Sequence, residues 1–586
     1  MFMSEVIKFN EALKERHIRR GDEKARVTRE YLDEIIKKFG EKIRDVKQVA
    51  YNQWVITVER EDLPEVVLHF LDHPEWKETQ LSTMVATDER PLNGKFSITY
   101  WLSVNGKAGD FYLGVRAYLP EDDPRFISIA AKHRGANWYE REAMEMLGLT
   151  AEGHPDPRRL VLPDDWPSCV YPLRKDFHYS DSPPGEKFYP YKEPKKDEII
   201  VPYGPYHVAL EEAAHFRLYV KGETIVDVDY RGFYAHRGIE KISEGRLTYD
   251  QVCFIAERIC GICGCTHSTA YCQAVENAGG IEVPERAEYI RTIVLEIERL
   301  HSHLLNFGIA CHLVGYDYGF MKAWRIREHV MWLAERLTGN RKTYGMLLVG
   351  GVRRDLLEYR KSLLEDVLKK IKTEFSELVD EAISTSTFVK RLEGVGVLPY
   401  KVAKEWDVDG PLGRGSGRDF DVRRDHPYAA YKYLDFKVPV YKEGDVLARA
   451  LVRIEEVFES IWIIEQALDQ MPGGDILAEY KEIPPYSEAI GMTEAPRGEN
   501  IHYVMTGENN KVYRYRARAA TYNNLPAVPD MMRGYTIADA PLIVASIDPC
   551  YSCTERVQIV DVESGKVRVL TESQFNKLSI KASRRV

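Results

Sequence analysis

The chain has 586 residues, 44% of them hydrophobic, and 81 Lys+Arg against 91 Asp+Glu give a formal charge of −10. That length exceeds one ordinary hydrophobic core, so at least two domains are expected, and the acidic balance argues against nucleic acid as a partner. Nine irregularly spaced cysteines exclude a secreted disulfide framework, Met1-Phe2-Met3-Ser4-Glu5 opens no apolar signal core, and no run of about 18 apolar residues predicts a membrane span.

In chain order, residues 1–178 read as a small α+β unit. Glu30–Phe39 has helical character and stops at Gly40. Val49–Val58 is rich in β-branched and aromatic residues and predicts a strand. Phe96–Val104 and Asp110–Leu119 predict two more strands around the turn signal Asn105-Gly106. Trp138-Tyr139-Glu140-Arg141-Glu142 and Gly153-His154-Pro155-Asp156 follow, where residue chemistry alone suggests helix-surface ion pairs and a turn histidine. Residues 179–198, rich in Pro, Lys, Glu and Tyr with mixed charge, read as a linker.

From residue 199 a second, larger unit is expected. Phe216–Val220 and Thr224–Asp229 read as strands, and most of the remainder reads helical. Pro284 is a helix-start signal, with Ala287, Ile290, Val294, Ile297, His301 and Leu304 recurring on one face after it. Asp445–Asp469 predicts a second long helix, stopped by Pro472-Gly473-Gly474. The fold class is therefore α+β, a small α+β domain fused to a mainly helical domain carrying short sheets, without internal repeats.

Chemistry concentrates in two Cys-x-x-Cys pairs, Cys260/Cys263 and Cys550/Cys553. Each pair can present two thiolates to one metal, and thiolates suit soft or redox-active ions. A structural zinc staple usually closes a short loop, whereas these pairs come from distant parts of the chain, which favours a catalytic metal. Other features carry less. His301, His303 and His312 read as satisfied core histidines, and Cys169, Cys253, Cys265, Cys272 and Cys311 have no cluster spacing. Gly413-Arg414-Gly415-Ser416-Gly417 lacks the Lys-Ser/Thr ending of a phosphate loop.

The flanks of the pairs, Glu257-Arg258-Ile259-Cys260-Gly261-Ile262-Cys263-Gly264 with Thr266-His267-Ser268, and Asp548-Pro549-Cys550-Tyr551-Ser552-Cys553-Thr554, resemble the large subunit of NiFe hydrogenases. The resemblance is closest to the membrane-bound, energy-converting (group 4) enzymes of formate hydrogenlyase type. Arg231–Lys241, Pro284–Asp317, Asp425–Pro427 and Glu494–Gly498 also read like that subunit. The run from Trp138 to Asp156 is similar to the 30-kDa subunit of respiratory complex I, which implies a docking role for residues 1–178. The resemblance assigns residues 199–556 to the hydrogenase domain and residues 557–586 to an extension that a maturation protease removes, by cleavage after Arg556.

By that resemblance Cys260 and Cys550 are terminal nickel ligands, and Cys263 and Cys553 bridge nickel to an iron that carries cyanide and carbonyl ligands. Cys550 is then the first proton acceptor and Glu212 the relay, with Glu211 its close competitor. Arg497 matches the arginine poised over the metals, and Asp548 is positioned to orient it. Glu240 matches a glutamate that can bind magnesium, although the histidine that completes that site in many relatives is replaced here by Arg556. Gly261 and Gly264 are expected to let the backbone approach the metals. His207 resembles a quinone-pocket histidine of complex I, but a turn role is preferred.

The chain has no iron–sulfur cluster spacing. Electrons must therefore pass through a small subunit with a proximal 4Fe–4S cluster, with ferredoxin-like and membrane ion-translocating subunits beyond it and formate dehydrogenase as the source in a formate hydrogenlyase. The implied location is the cytoplasmic face of the membrane, held by partners. The rival readings are a metal-free, quinone-facing scaffold of complex I type and a zinc-stapled assembly protein.

Overall fold

The computed structural model describes residues 33, 35–73, 78–105, 111–163, 166–178, 181, 192–207, 210, 212–234, 236–245, 247–356, 358–551, 559–560 and 567–568. Residues 35–39 are helical and end at Gly40, whose φ of 51° suits glycine. The N-terminal unit is a five-stranded sheet of order β1-β2-β5-β4-β3, formed by β1 (Ile43–Ala50), β2 (Gln53–Val58), β3 (Gln80–Asp88), β4 (Lys95–Val104) and β5 (Phe111–Pro120). All its pairings are antiparallel except β2 with β5. The strand expected over Val49–Val58 is instead the end of β1, a two-residue turn and β2. Asn52 takes φ 53° there, a left-handed conformation that Asn tolerates, and the chain reverses. The predicted turn at Asn105-Gly106 falls mostly outside the described residues.

Two helices, α1 (Leu63–Leu71) and α2 (Asn137–Leu147), accompany this sheet. The surface ion pairs expected on α2 are not on the surface, because Glu140 and Arg141 are both buried. Glu140 accepts hydrogen bonds from Tyr100 Oη (3.0 Å), Ser128 Oγ (2.5 Å) and Ile129 N (2.9 Å). Arg141 donates to the carbonyls of Arg158 and Arg159, so it holds the following loop. His154 is a turn histidine as expected, its ring bonded to Asn137 O and to the backbone NH of Asp156.

The second unit opens with β6 (Ile199–Tyr203), β7 (His215–Lys221) and β8 (Thr224–Arg231), a three-stranded antiparallel sheet. Helices α3 (Tyr249–Glu257), α4 (Gly264–Gly279), α5 (Glu285–Leu313), α6 (Asp317–Thr338), α7 (Glu358–Ser384) and α8 (Val446–Gln470) supply most of its mass. Pro284 is the N-cap residue of α5, and Asp445 caps α8 by accepting from Ala448 N, so both sequence-predicted starts hold. A second sheet, β9 (Glu488–Ala495), β10 (Gly498–Thr506) and β11 (Val512–Arg518), was not resolved from sequence. Its first two strands are buried along their whole length, which erases the in/out alternation that reveals a half-buried strand. In the C-terminal extension, Ile559–Val560 pairs antiparallel with Val567–Arg568.

The two units share their cores. One apolar cluster joins Val49, Val55, Val85, Trp101 and Tyr112 to helices of the large unit, and another joins the N-terminal sheet to residues between Leu398 and Tyr551. Polar contacts are buried with them. Arg116 pairs with Glu488 at 2.5 Å, and Gln53 exchanges two hydrogen bonds with the backbone of Ile490. Glu499 accepts from Gln80 (3.1 Å), Ser82 (3.1 Å) and Tyr112 (2.9 Å) and pairs with Arg518. The β9–β11 sheet is thereby fixed from the N-terminal side.

Burial pushes the Glu140 carboxyl up from its ordinary 4.5 to about 7, against its hydrogen bonds. The folded state thus holds this proton longer than the unfolded chain. The stability it contributes is complete below pH 4.5 and is lost as pH rises through 7. Glu140→Gln keeps the neutral form at every pH, so its thermal midpoint is expected to fall less than the parent's between pH 4.5 and 8. Parallel melting curves would contradict this assignment.

Candidate metal centre

The first cysteine pair lies in the loop between α3 and α4, and each of its flanks is anchored. Arg237 donates to the carbonyls of Arg258 (3.0 Å) and Ile259 (2.7 Å), just ahead of Cys260. His301 on α5 bonds Ile262 O at 2.9 Å, between the two cysteines. Behind the loop, Glu298 accepts from Cys265 N (2.7 Å), Thr266 N (2.9 Å) and the Thr266 hydroxyl, satisfying the opening turn of α4. Burial lifts the Glu298 carboxyl up to about 8 in spite of these bonds. A Cβ on Gly264 would stand 2.5 Å from Glu257 O, so the close approach of α3 to α4 requires glycine there. Gly261 differs from expectation, since a Cβ there meets nothing within 4 Å.

The second pair is reached through a different brace. The two-residue turn Pro496-Arg497 joins β9 to β10, with Ala495 paired to Gly498. A Cβ on Gly498 would fall 2.1 Å from Asp409 Oδ1, and Asn524 donates to Arg497 O, so the turn is seated against the 409–410 and 520–524 segments. From it Arg497 donates through Nε to Asp548 O (2.6 Å), through Nη2 to Asp548 Oδ1 (2.9 Å) and through Nη1 to Ser302 Oγ (3.1 Å). Asp548 adopts φ 55°, and Thr521 Oγ1 accepts from Cys550 N at 3.2 Å.

These braces bring together the sulfurs of Cys260, Cys263 and Cys550, all buried and all within 4.8 Å of one another. Cys260 Sγ and Cys550 Sγ are 2.9 Å apart, close enough to share one proton or one metal ion, and the backbone NH groups of Ile262 and Cys263 point at Cys260 Sγ (3.3 and 3.2 Å). Cys553 and Arg556 lie outside the described residues. Burial alone would discharge Arg497, but Asp548 and the three thiolates hold its guanidinium well above the ordinary arginine range. Three convergent soft donors beneath a fixed cation fit a thiolate-bound transition metal, and one oxygen of Asp548, Oδ2, is buried without a hydrogen bond beside them.

The remaining predicted residues fall elsewhere. Glu212 sits half-buried in the loop between β6 and β7, and Glu211 lies outside the described residues. Glu240 does not fit a cation. Its oxygens accept from Arg514 Nη1 (2.8 Å), Arg516 Nη1 (3.3 Å) and Ala517 N (3.1 Å), a cationic surrounding that repels magnesium. His207 packs its ring 4.4 Å from Tyr203 in the turn after β6. The roles of Glu298, Ser302, His301 and Thr521 had no signal in the sequence beyond helical spacing on α5. Cys550→Ser is expected to lose the bound transition metal while keeping the fold, as read by elemental analysis beside thermal unfolding.

Three family models match the chain. They are the respiratory-chain NADH dehydrogenase 49 Kd subunit (residues 314–487 and 481–556), its 30 Kd subunit (residues 56–183) and the nickel-dependent hydrogenase (residues 237–324). Formate hydrogenlyase subunit 5 of Escherichia coli (strain K12) is 46% identical, over 90% of this chain and 93% of the relative. Hydrogenase-4 component G of the same organism is 43% identical, over 92% and 95%. Among solved structures, a chain of the membrane-bound sulfane sulfur reductase, an archaeal respiratory membrane complex, superposes with a TM-score of 0.59 at 33% identity, covering 63% of this chain and 100% of that one.

Proposed function

The chain belongs to the large subunits of membrane-bound (group 4) NiFe hydrogenases, with a complex I 30-kDa-like unit fused ahead of the hydrogenase unit, and we propose that it reduces protons to dihydrogen at a cysteine-held nickel–iron centre. The observation that carries the reading is the convergence of Cys260, Cys263 and Cys550 under the Arg497 guanidinium. Cys260 and Cys550 would hold nickel, and Cys263 and Cys553 would bridge it to an iron bearing cyanide and carbonyl ligands. When bound, that centre supplies the electrons and the Lewis acidity needed to form the H–H bond.

The protein's own groups do the rest. Cys550 holds the proton nearest the centre, and Glu212 passes protons between that sulfur and solvent. Arg497 keeps a fixed positive charge over the thiolates at any working pH, and Asp548 sets its orientation through two hydrogen bonds. Anchoring by Arg237, His301 and Glu298 limits how far the Cys260–Cys263 loop can drift.

Electrons would arrive from a separate small subunit with a proximal 4Fe–4S cluster, fed by ferredoxin-like subunits and, in a formate hydrogenlyase, by formate dehydrogenase. No helix among the described residues is long and apolar enough to cross a membrane, so attachment would be made by membrane ion-translocating subunits. A maturation protease would cut after Arg556.

The test is nickel and iron content in the complex purified from a maturation-competent host, measured beside Arg497→Lys. Lysine keeps the charge but not the two-point grip on Asp548, so hydrogen evolution is expected to fall by about 100-fold or more with nickel retained. A parent without nickel would sink the proposal in favour of the quinone-facing scaffold.

A further inference from the structure

Close to the cysteines lies a hydrogen-bonded chain of three buried rings that the proposed reaction does not use. His267 sits on α4 one turn beyond Cys263, its backbone NH bonded to Cys263 O at 3.3 Å. Its Nδ1 is 2.9 Å from His502 Nε2, and His502 Nδ1 is 2.9 Å from Tyr515 Oη. His502 is on β10 and Tyr515 on β11. His502 pairs with Ala517, two residues beyond Tyr515, so both side chains leave the sheet on the same face. Helix α4 packs against this sheet so closely that a Cβ on Gly491 of β9 would stand 1.9 Å from Ala270 O. All three rings are buried.

The protonation pattern of this chain follows from counting donors. Among the described residues, His502 Nδ1 is the only hydrogen-bond partner of the Tyr515 hydroxyl. A buried O–H left without an acceptor costs about 1–3 kcal/mol, so the phenol donates to Nδ1. His502 must then carry its proton on Nε2 and donate it to His267 Nδ1, and His267 in turn carries its proton on Nε2. Burial keeps both rings neutral, with His267 held down to about 4 and His502 well below its ordinary range. The Cys260 thiolate is the one attractive charge acting on the His267 ring, opposed by Arg237 and Arg497.

We propose that Tyr515 is a positioning residue that acts through His502 to lock His267 in the Nε2–H tautomer, so that His267 offers the cysteine sulfurs a hydrogen-bond donor rather than a lone pair. A thiolate that accepts a hydrogen bond pushes less electron density onto its metal, as other outer partners of metal ligands do. The phenol thereby tunes the centre from two rings away. This inference rests on the nickel–iron reading.

The test is the infrared carbonyl stretch of the assembled complex, measured with nickel content on the parent, Tyr515→Phe, His502→Phe and the double variant. Phenylalanine keeps each ring's packing, including the contact of Tyr271 with residue 515 at 5.3 Å between centroids. The expected result is parent-like nickel with the carbonyl band at lower wavenumber in Tyr515→Phe, because sulfur that loses the hydrogen bond donates more density to the metals. The double variant is expected to match His502→Phe, since the phenol acts only through that imidazole. An unshifted band at parent nickel content would overturn the proposal. So would a fall in nickel or thermal stability without a shift, which marks a purely structural role. A parent with nickel absent and no carbonyl band would refute the metal reading itself, an outcome distinct from the other two.

Discussion

The site depends on the buried ion pair between Arg497 and Asp548. Both groups are withdrawn from water, and removing one partner of such a pair costs about 3–5 kcal/mol because the other charge is stranded. The pair also sets backbone conformation. Asp548 precedes Pro549, which disfavours the right-handed helical region for it, and it turns left-handed at φ 55° directly before Cys550. Two bonds from one guanidinium, to its carbonyl and its carboxylate, hold that turn. Cys550 thus reaches Cys260 because a hairpin from a different part of the chain grips the residue two positions before it.

That hairpin is in turn held by the fused N-terminal unit. The β9–β11 sheet lies between the helices of the large unit and the five-stranded sheet, and its charged residues, Glu488, Glu499 and Arg518, find their partners across the boundary or beside it. Ion pairs so deeply buried contribute little net stability compared with apolar packing, but a misplaced one is costly, so they select one relative placement of the two units. Residues 1–178 are therefore more than a docking appendage in this structure. They form part of the scaffold that positions Arg497.

How much of this was legible in the sequence follows from how local each signal is. The cysteine pairs, the helix starts at Pro284 and Asp445 and the strands around residues 96–119 and 216–229 all rest on nearby residues, and all are found. Tyr51-Asn52 hid a turn because an alternating apolar run continued through it. The β9–β11 sheet hid because burial on both faces removes periodicity. Glu140 looked like a surface acid because α2 is rich in charge, yet its partners, Tyr100 and Ser128, come from other elements. Glu240 looked like a metal ligand by position, whereas Arg514 and Arg516, which occupy it, lie far along the chain. Electrostatic surroundings depend on non-local packing, and no local motif encodes them.

The balance of charge around the sulfurs completes the argument. Near neutral pH Glu298, lifted to about 8, is mostly protonated, and His267, held near 4, is neutral. Arg497 stays charged but is half-compensated by Asp548. Three convergent buried thiolates are thus under-neutralised by the protein alone, and a bound cation would supply the missing charge. Binding a metal there would replace repulsion among sulfurs by coordination, which makes metal binding part of the folding energy of both cysteine loops. It also confines any change in charge during turnover to the sulfurs and the metals, since their neighbours are either neutral or already paired.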